Sequence, residues 1–89
     1  MPIVSTPGGV PIRLSEERWK HITERHPEMA TERARVLETV AAPDLVQAGD
    51  YGTLIAIRRY QRTAVPSIHV VVIYRELSSA GGFIVTAYL

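Results

Sequence analysis

At Pro43 the spacing of the apolar residues changes from helical to strand-like, and that switch constrains the fold more than any other feature of the chain. Ahead of it, Met29, Val36, Leu37 and Val40 recur at intervals that gather them into one stripe along a helix. Beyond it, residues 45–48, 53–61, 67–76 and 83–89 read as strands, with turn signals at Gly49-Asp50, Pro66 and Gly81-Gly82. Eighty-nine residues sustain one hydrophobic core and not two. The expectation is a single α+β domain over residues 1–89, with two N-terminal helices packed on a four-stranded, mainly antiparallel sheet. The run IHVVVIY is apolar on both alternating faces, which predicts a central strand covered on one side by the helices.

Local signals place the helices. Pro2, Pro7, Gly8, Gly9 and Pro11 predict an irregular lead-in over residues 1–11, with one short edge strand around 10–14. Ser15 is a good N-cap, Glu16 and Glu17 suit the positive end of a helix dipole, and Leu14 and Trp19 have hydrophobic-staple spacing. These predict a helix over 16–25. Pro27 disfavours the α conformation at His26 and fits the first turn of a second helix, expected to run to about Ala41.

Composition excludes several functions. Apolar residues make up 46% of the chain and charged residues 21%, the balance of an ordinary globular protein. No apolar run approaches the roughly 20 residues that span a bilayer, and the start lacks the pattern of a secretory signal, so the cytoplasm is the expected location and no membrane partner is expected. There is no cysteine, hence no disulfide, thiolate metal site or cysteine nucleophile. The net charge is only +1, yet nine of the ten Lys and Arg residues are arginine, which suits two-point recognition of phosphate or carboxylate.

The stretch RWKHITERHPEM, residues 18–29, carries two of the three histidines. At about 100° per residue, Trp19, Ile22 and His26 share one helix face, whereas His21 lies with Arg18 and Arg25 on another. A five-residue separation on different faces makes a poor metal pair, so no metal is expected. Arg33 falls inside the apolar stripe of the second helix. Arg58 and Arg59 occupy opposite faces of one strand, with Tyr60 on the Arg58 side and Arg62 beyond it. In the last strand, alternation groups Ile84, Thr86 and Tyr88 on one face and Phe83, Val85, Ala87 and Leu89 on the other, the second being the expected core face.

HIxxRHPE in a leading helix, a proline-terminated second helix, the Arg/Tyr strand, VVVIY and the terminal VTAY together resemble the small nucleases of the barnase/EndoU/colicin/RelE-like superfamily, in its phage-associated and toxin-type branches. The resemblance covers Leu14 to Leu89. It implies metal-independent RNA cleavage, with His21 and His26, Arg58 or Arg59, and Thr86 with Tyr88 as the catalytic set. Arg33, Tyr60 and Arg62 are assigned to substrate binding. It also implies an RNA substrate, tRNA or mRNA, a cognate antitoxin protein as partner, and no cofactor.

The residue chemistry agrees with that implication. Cleaving RNA without metal needs a base for the 2′-hydroxyl proton, a cation for charge developing on phosphate, and an acid for the leaving 5′-oxygen. Histidine serves at either proton transfer, arginine clamps phosphate oxygens, and Thr or Tyr hydroxyls orient the phosphate. A net charge of +1 favours a substrate held at few phosphates, such as tRNA. The competing expectations are a non-catalytic protein-interaction module and a nucleic-acid-binding domain of the same fold.

Overall fold

The computed structural model describes residues 2–60 and 69–89, and within them the chain is an α+β structure. The first helix, α1 (Glu16–Arg25), is capped as its sequence predicts: the Arg18 amide donates to Ser15 Oγ at 3.1 Å. It stops at His26, whose φ of −132° and ψ of 77° leave the helical region ahead of Pro27.

The second helical segment is not continuous. Residues Pro27–Thr31 form a 3-10 helix, and only Arg33–Ala41 are α-helical (α2). Between them Glu32 is 2% exposed and accepts hydrogen bonds from Arg35 at 2.6 and 2.8 Å. The tighter turn buries Met29 and Glu32 together, a packing that helical spacing alone does not reveal. Met29, Val36 and Val40 are fully buried and Leu37 packs against them, so the expected stripe is the buried one. Arg33 lies at its margin, paired with Glu16 and with its guanidinium 5.8 Å from the Trp19 ring.

Among the described residues the sheet has six strands rather than four: β1 (Ile3–Ser5), β2 (Pro11–Arg13), β3 (Leu45–Ala48), β4 (Leu54–Arg59), β5 (His69–Ser78) and β6 (Gly81–Tyr88). Their order is β1-β2-β6-β5-β4-β3. The added strands come from the lead-in: β2 falls where a short strand is expected but lies inside the sheet, because residues before it form β1, and Thr6 to Val10 close the hairpin, in which Gly9 adopts φ +86°. In that hairpin β1 pairs antiparallel with β2, and β2 joins β6 in parallel through Ile12 beside Gly82 and Arg13 beside Phe83. The remaining pairings, β3 with β4, β4 with β5 and β5 with β6, are antiparallel. Strand β5, the VVVIY strand, lies in the middle as expected.

The two Gly residues near the end of the chain are strand rather than turn, since β6 begins at Gly81. A Cβ on Gly82 would stand 2.0 Å from the Arg75 carbonyl oxygen, so only glycine allows the two backbones this close.

Helices cover one face of the sheet. Leu14, Ile22, Met29, Val36 and Val40 pack there against Ala56, Val70, Val72, Tyr74, Ile84 and Ala87. The pairing of β5 with β6 shifts register between Ile73 and Tyr74: Ile73 pairs with Thr86 but Tyr74 with Ile84, leaving Val85 as the extra residue of a bulge. This corrects the expected core face of the last strand. Ile84 and Ala87 are both buried, while Phe83, Thr86 and Tyr88 share the open face. No helix among the described residues is long and apolar enough to cross a membrane.

Candidate active site

The side chains brought together lie at one end of the open face. Arg59 on β4 stands directly opposite His69 on β5. The next row inward is Ile57, Val71 and Tyr88, and Thr86 follows opposite Ile73. Directly opposed residues point to the same side of a sheet. Val70 and Val72 are fully buried on the helix side, so Val71 and its row face outward. Tyr88 and His69 are diagonal neighbours, at the roughly 7–8 Å typical of such pairs.

His26 completes the group from the side. Strand β2 pairs with β6 only at Gly82 and Phe83, so beyond the bulge β6 has no strand on that flank among the described residues. The end of α1 and the 3-10 helix pack beside it instead. There the His26 ring sits 5.8 Å from the Tyr88 ring, tilted by 36°. Its backbone is fixed at both ends: its N–H donates to the Ile22 carbonyl at 2.7 Å, and its own carbonyl accepts from Met29 at 2.9 Å. Glu28 Oε1 lies 3.6 Å from Nδ1, near enough to attract an imidazolium but long for a hydrogen bond.

Arg58 belongs to a different group. It faces the helix side, donates to the Ala42 carbonyl at 2.6 Å, and lies 5.3 Å from the Tyr60 ring. Its Nε is 3.6 Å from Glu38 and, among the described residues, makes no hydrogen bond. The Tyr60 hydroxyl donates to Glu38 at 2.5 Å, and Arg35 flanks the same ring at 5.4 Å. Burial, and then the Glu38 carboxylate, push the Tyr60 phenol up to about 12. Arg58 and Tyr60 thus tie β4 to α2, away from His26 and Tyr88.

His21 is exposed on α1, lining a shallow hollow of about 470 Å³ with Arg18, Lys20, Glu17 and Glu24. The carboxylates of that hollow and its distance along α1 from His26 separate it from the group on the sheet. Arg33 is likewise on the helix layer. Arg62 lies outside the described residues, as does the turn signal at Pro66.

Two members of the group escaped the sequence reading. His69 was hidden within an apolar run, although the placing of Arg58 and Arg59 on opposite faces of β4 was sufficient to ask which residue opposes each. Glu28 was explained by its helix position alone, and its i+2 spacing from His26 was the available signal. Among the residues that the strands direct to the open face, Arg13, Arg59 and Arg75 carry positive charge and none is a carboxylate. Compared with known proteins, the chain matches no family model, no curated protein and no solved structure.

Proposed function

We propose that the chain is an endoribonuclease that cleaves RNA by metal-independent transesterification, a toxin acting in the cytoplasm and neutralised there by a cognate antitoxin protein. The observation that carries this reading is the packing of the His26 ring against Tyr88 at the end of an open face whose described strand residues include Arg59 and no carboxylate.

In the reaction, a general base removes the 2′-hydroxyl proton and the 2′-oxygen attacks the adjacent phosphorus. The bond from phosphorus to the 5′-oxygen breaks, an acid returns a proton to that oxygen, and the products are a cyclic phosphate and a 5′-hydroxyl. His26 supplies one proton-transfer group and His69, on the far side of Tyr88, is placed to supply the other. Arg59 compensates charge developing on the phosphate, and the hydroxyls of Tyr88 and Thr86 orient it. Arg58 and Tyr60 support the strand from behind. A substrate held at few phosphates, such as tRNA, fits a face with three arginines better than one requiring a broad basic surface.

A second reading, a protein-interaction module, draws on β3, an edge strand that exposes Leu45 at 48% and Val46 at 42%. An antitoxin that adds a strand there would reconcile both readings.

The test is cleavage of purified RNA in excess EDTA by the wild-type chain and by His26→Ala. Cleavage by the wild type alone supports the proposal. No cleavage by either, or activity restored only by a divalent ion, removes it.

A further inference from the structure

The other end of the open face carries a second ordered group. Arg13 on β2, Phe83 on β6 and Arg75 on β5 stand in one cross-strand row. The Arg13 guanidinium lies 5.7 Å from the centre of the Phe83 ring. Beyond Arg75, the β3–β4 turn presents Tyr51, which is 91% exposed, and Arg75 donates to the Tyr51 carbonyl. Tyr51 adopts φ 57°, a left-handed conformation that a tyrosine enters at a cost. The cross-strand row therefore reads cation, aromatic, cation.

On the flank of Phe83, Arg13, Arg18 and Ser15 line a hollow of about 260 Å³ with Ile84, and no carboxylate is among its lining residues. An aromatic ring flanked by guanidinium groups on an open sheet suits single-stranded RNA: a base stacks on the ring and phosphates meet the cations. A double helix buries its base faces and gives the ring nothing to stack on.

We propose that the row of Arg13, Phe83 and Arg75 is a second subsite of the ribonuclease face, binding a base and phosphate of single-stranded RNA a few nucleotides from the bond cleaved beside His26 and Tyr88. This rests on the function proposed above. Phe83 and Tyr88 are separated along β6 by about 15 Å, at roughly 3.3 Å per residue with one bulge between them. The bulge at Val85 turns both to the same side, so one strand of RNA reaches both without crossing the sheet. Substrate preference then follows length: a dinucleotide fills only the end at Tyr88, and a longer single strand fills both.

The experiment measures binding and cleavage separately. Binding uses a short single-stranded oligoribonucleotide with 2′-O-methyl groups, which lacks the attacking hydroxyl, alongside the corresponding dinucleotide and a duplex. The proteins are wild type, Arg13→Gln, Phe83→Leu and His26→Ala, each checked for native circular dichroism. Both subsite variants should bind the longer strand about tenfold more weakly and the dinucleotide as wild type does. Arg13→Gln should also reduce the salt dependence by about one phosphate contact. His26→Ala should still bind the longer strand but fail to cleave the same sequence made as unmodified RNA. The subsite is overturned if the wild type does not bind the longer strand, if duplex binds equally well, or if Arg13→Gln, whose side chain is exposed, binds that strand unchanged. Weakened binding in the variants with no RNA cleavage by the wild type would leave the subsite standing and remove the cleavage reading; cleavage with unchanged binding would do the reverse.

Discussion

Phe83 and Tyr88 stand five positions apart on one strand and face the same side of the sheet. Strict alternation would set them on opposite sides, and the extra residue Val85 restores the match. The bulge lets the strand bury Ile84 before the shift and Ala87 after it, while handing Thr86 and Tyr88 to the open face. A local irregularity thus creates the surface on which the proposed chemistry depends.

That placement predicts how Tyr88 and His26 share a transition state. Tyr88→Phe keeps the ring against His26 and should leave the unfolding midpoint nearly unchanged, while cleavage falls by about a hundredfold or more. The double variant with His26→Ala should lose much less than the product of the single losses. Wild-type cleavage by Tyr88→Phe would remove the phenol from the mechanism.

The two adjacent arginines should separate stability from activity. Arg58→Gln gives up the bond to the Ala42 carbonyl and the contact with Tyr60, and should destabilise the fold by about 1–2 kcal/mol. Arg59→Gln leaves its structural bond intact, because that bond is made by the backbone amide to Asp44 at 2.7 Å. It should unfold like the wild type and cleave RNA at least tenfold more slowly. Urea unfolding and initial cleavage rates on the same samples decide the matter, and an Arg59→Gln chain with full activity would contradict the assignment.

Glu32 should prove a structural acid. It is 2% exposed and held by Arg35 in the turn that separates the 3-10 helix from α2. Glu32→Ala leaves Arg35 without its carboxylate and empties a buried position, so stability should fall by about 1–3 kcal/mol. Amide exchange should quicken first at the start of α2.

Tyr60 gives the fold a signature at high pH. Its phenol is pushed from the ordinary 10.0 up to about 12, chiefly by burial and next by Glu38, so folding favours the protonated form. That contribution is fully present below the unfolded value and is lost as pH rises toward the folded one. Between pH 10.0 and about 12 the wild type should therefore lose stability relative to Tyr60→Phe. A constant difference in urea midpoints across that window would show that the phenol is not held protonated.

What the sequence determined by itself is what local physics writes into a few adjacent residues. Ser15 and Pro27 set the ends of α1, and the period change after Pro43 set the division between helices and sheet, because caps, prolines and side-chain alternation act within one turn or one strand. The alternation of β4 likewise separated Arg58 from Arg59, without saying which face the helices cover. Only the tertiary structure decided the rest. The lead-in hairpin joins the sheet because Arg13 and Phe83, 70 positions apart, pair in parallel, and no local signal encodes that register. His26 meets Tyr88 because β2 leaves the end of β6 uncovered and α1 ends there. His69 enters the group because it opposes Arg59 across two strands. Each of these contacts joins segments remote in sequence, and their geometry is set by how the whole core packs, which is why residue types alone left His21 and His26, and Arg58 and Arg59, as equal alternatives.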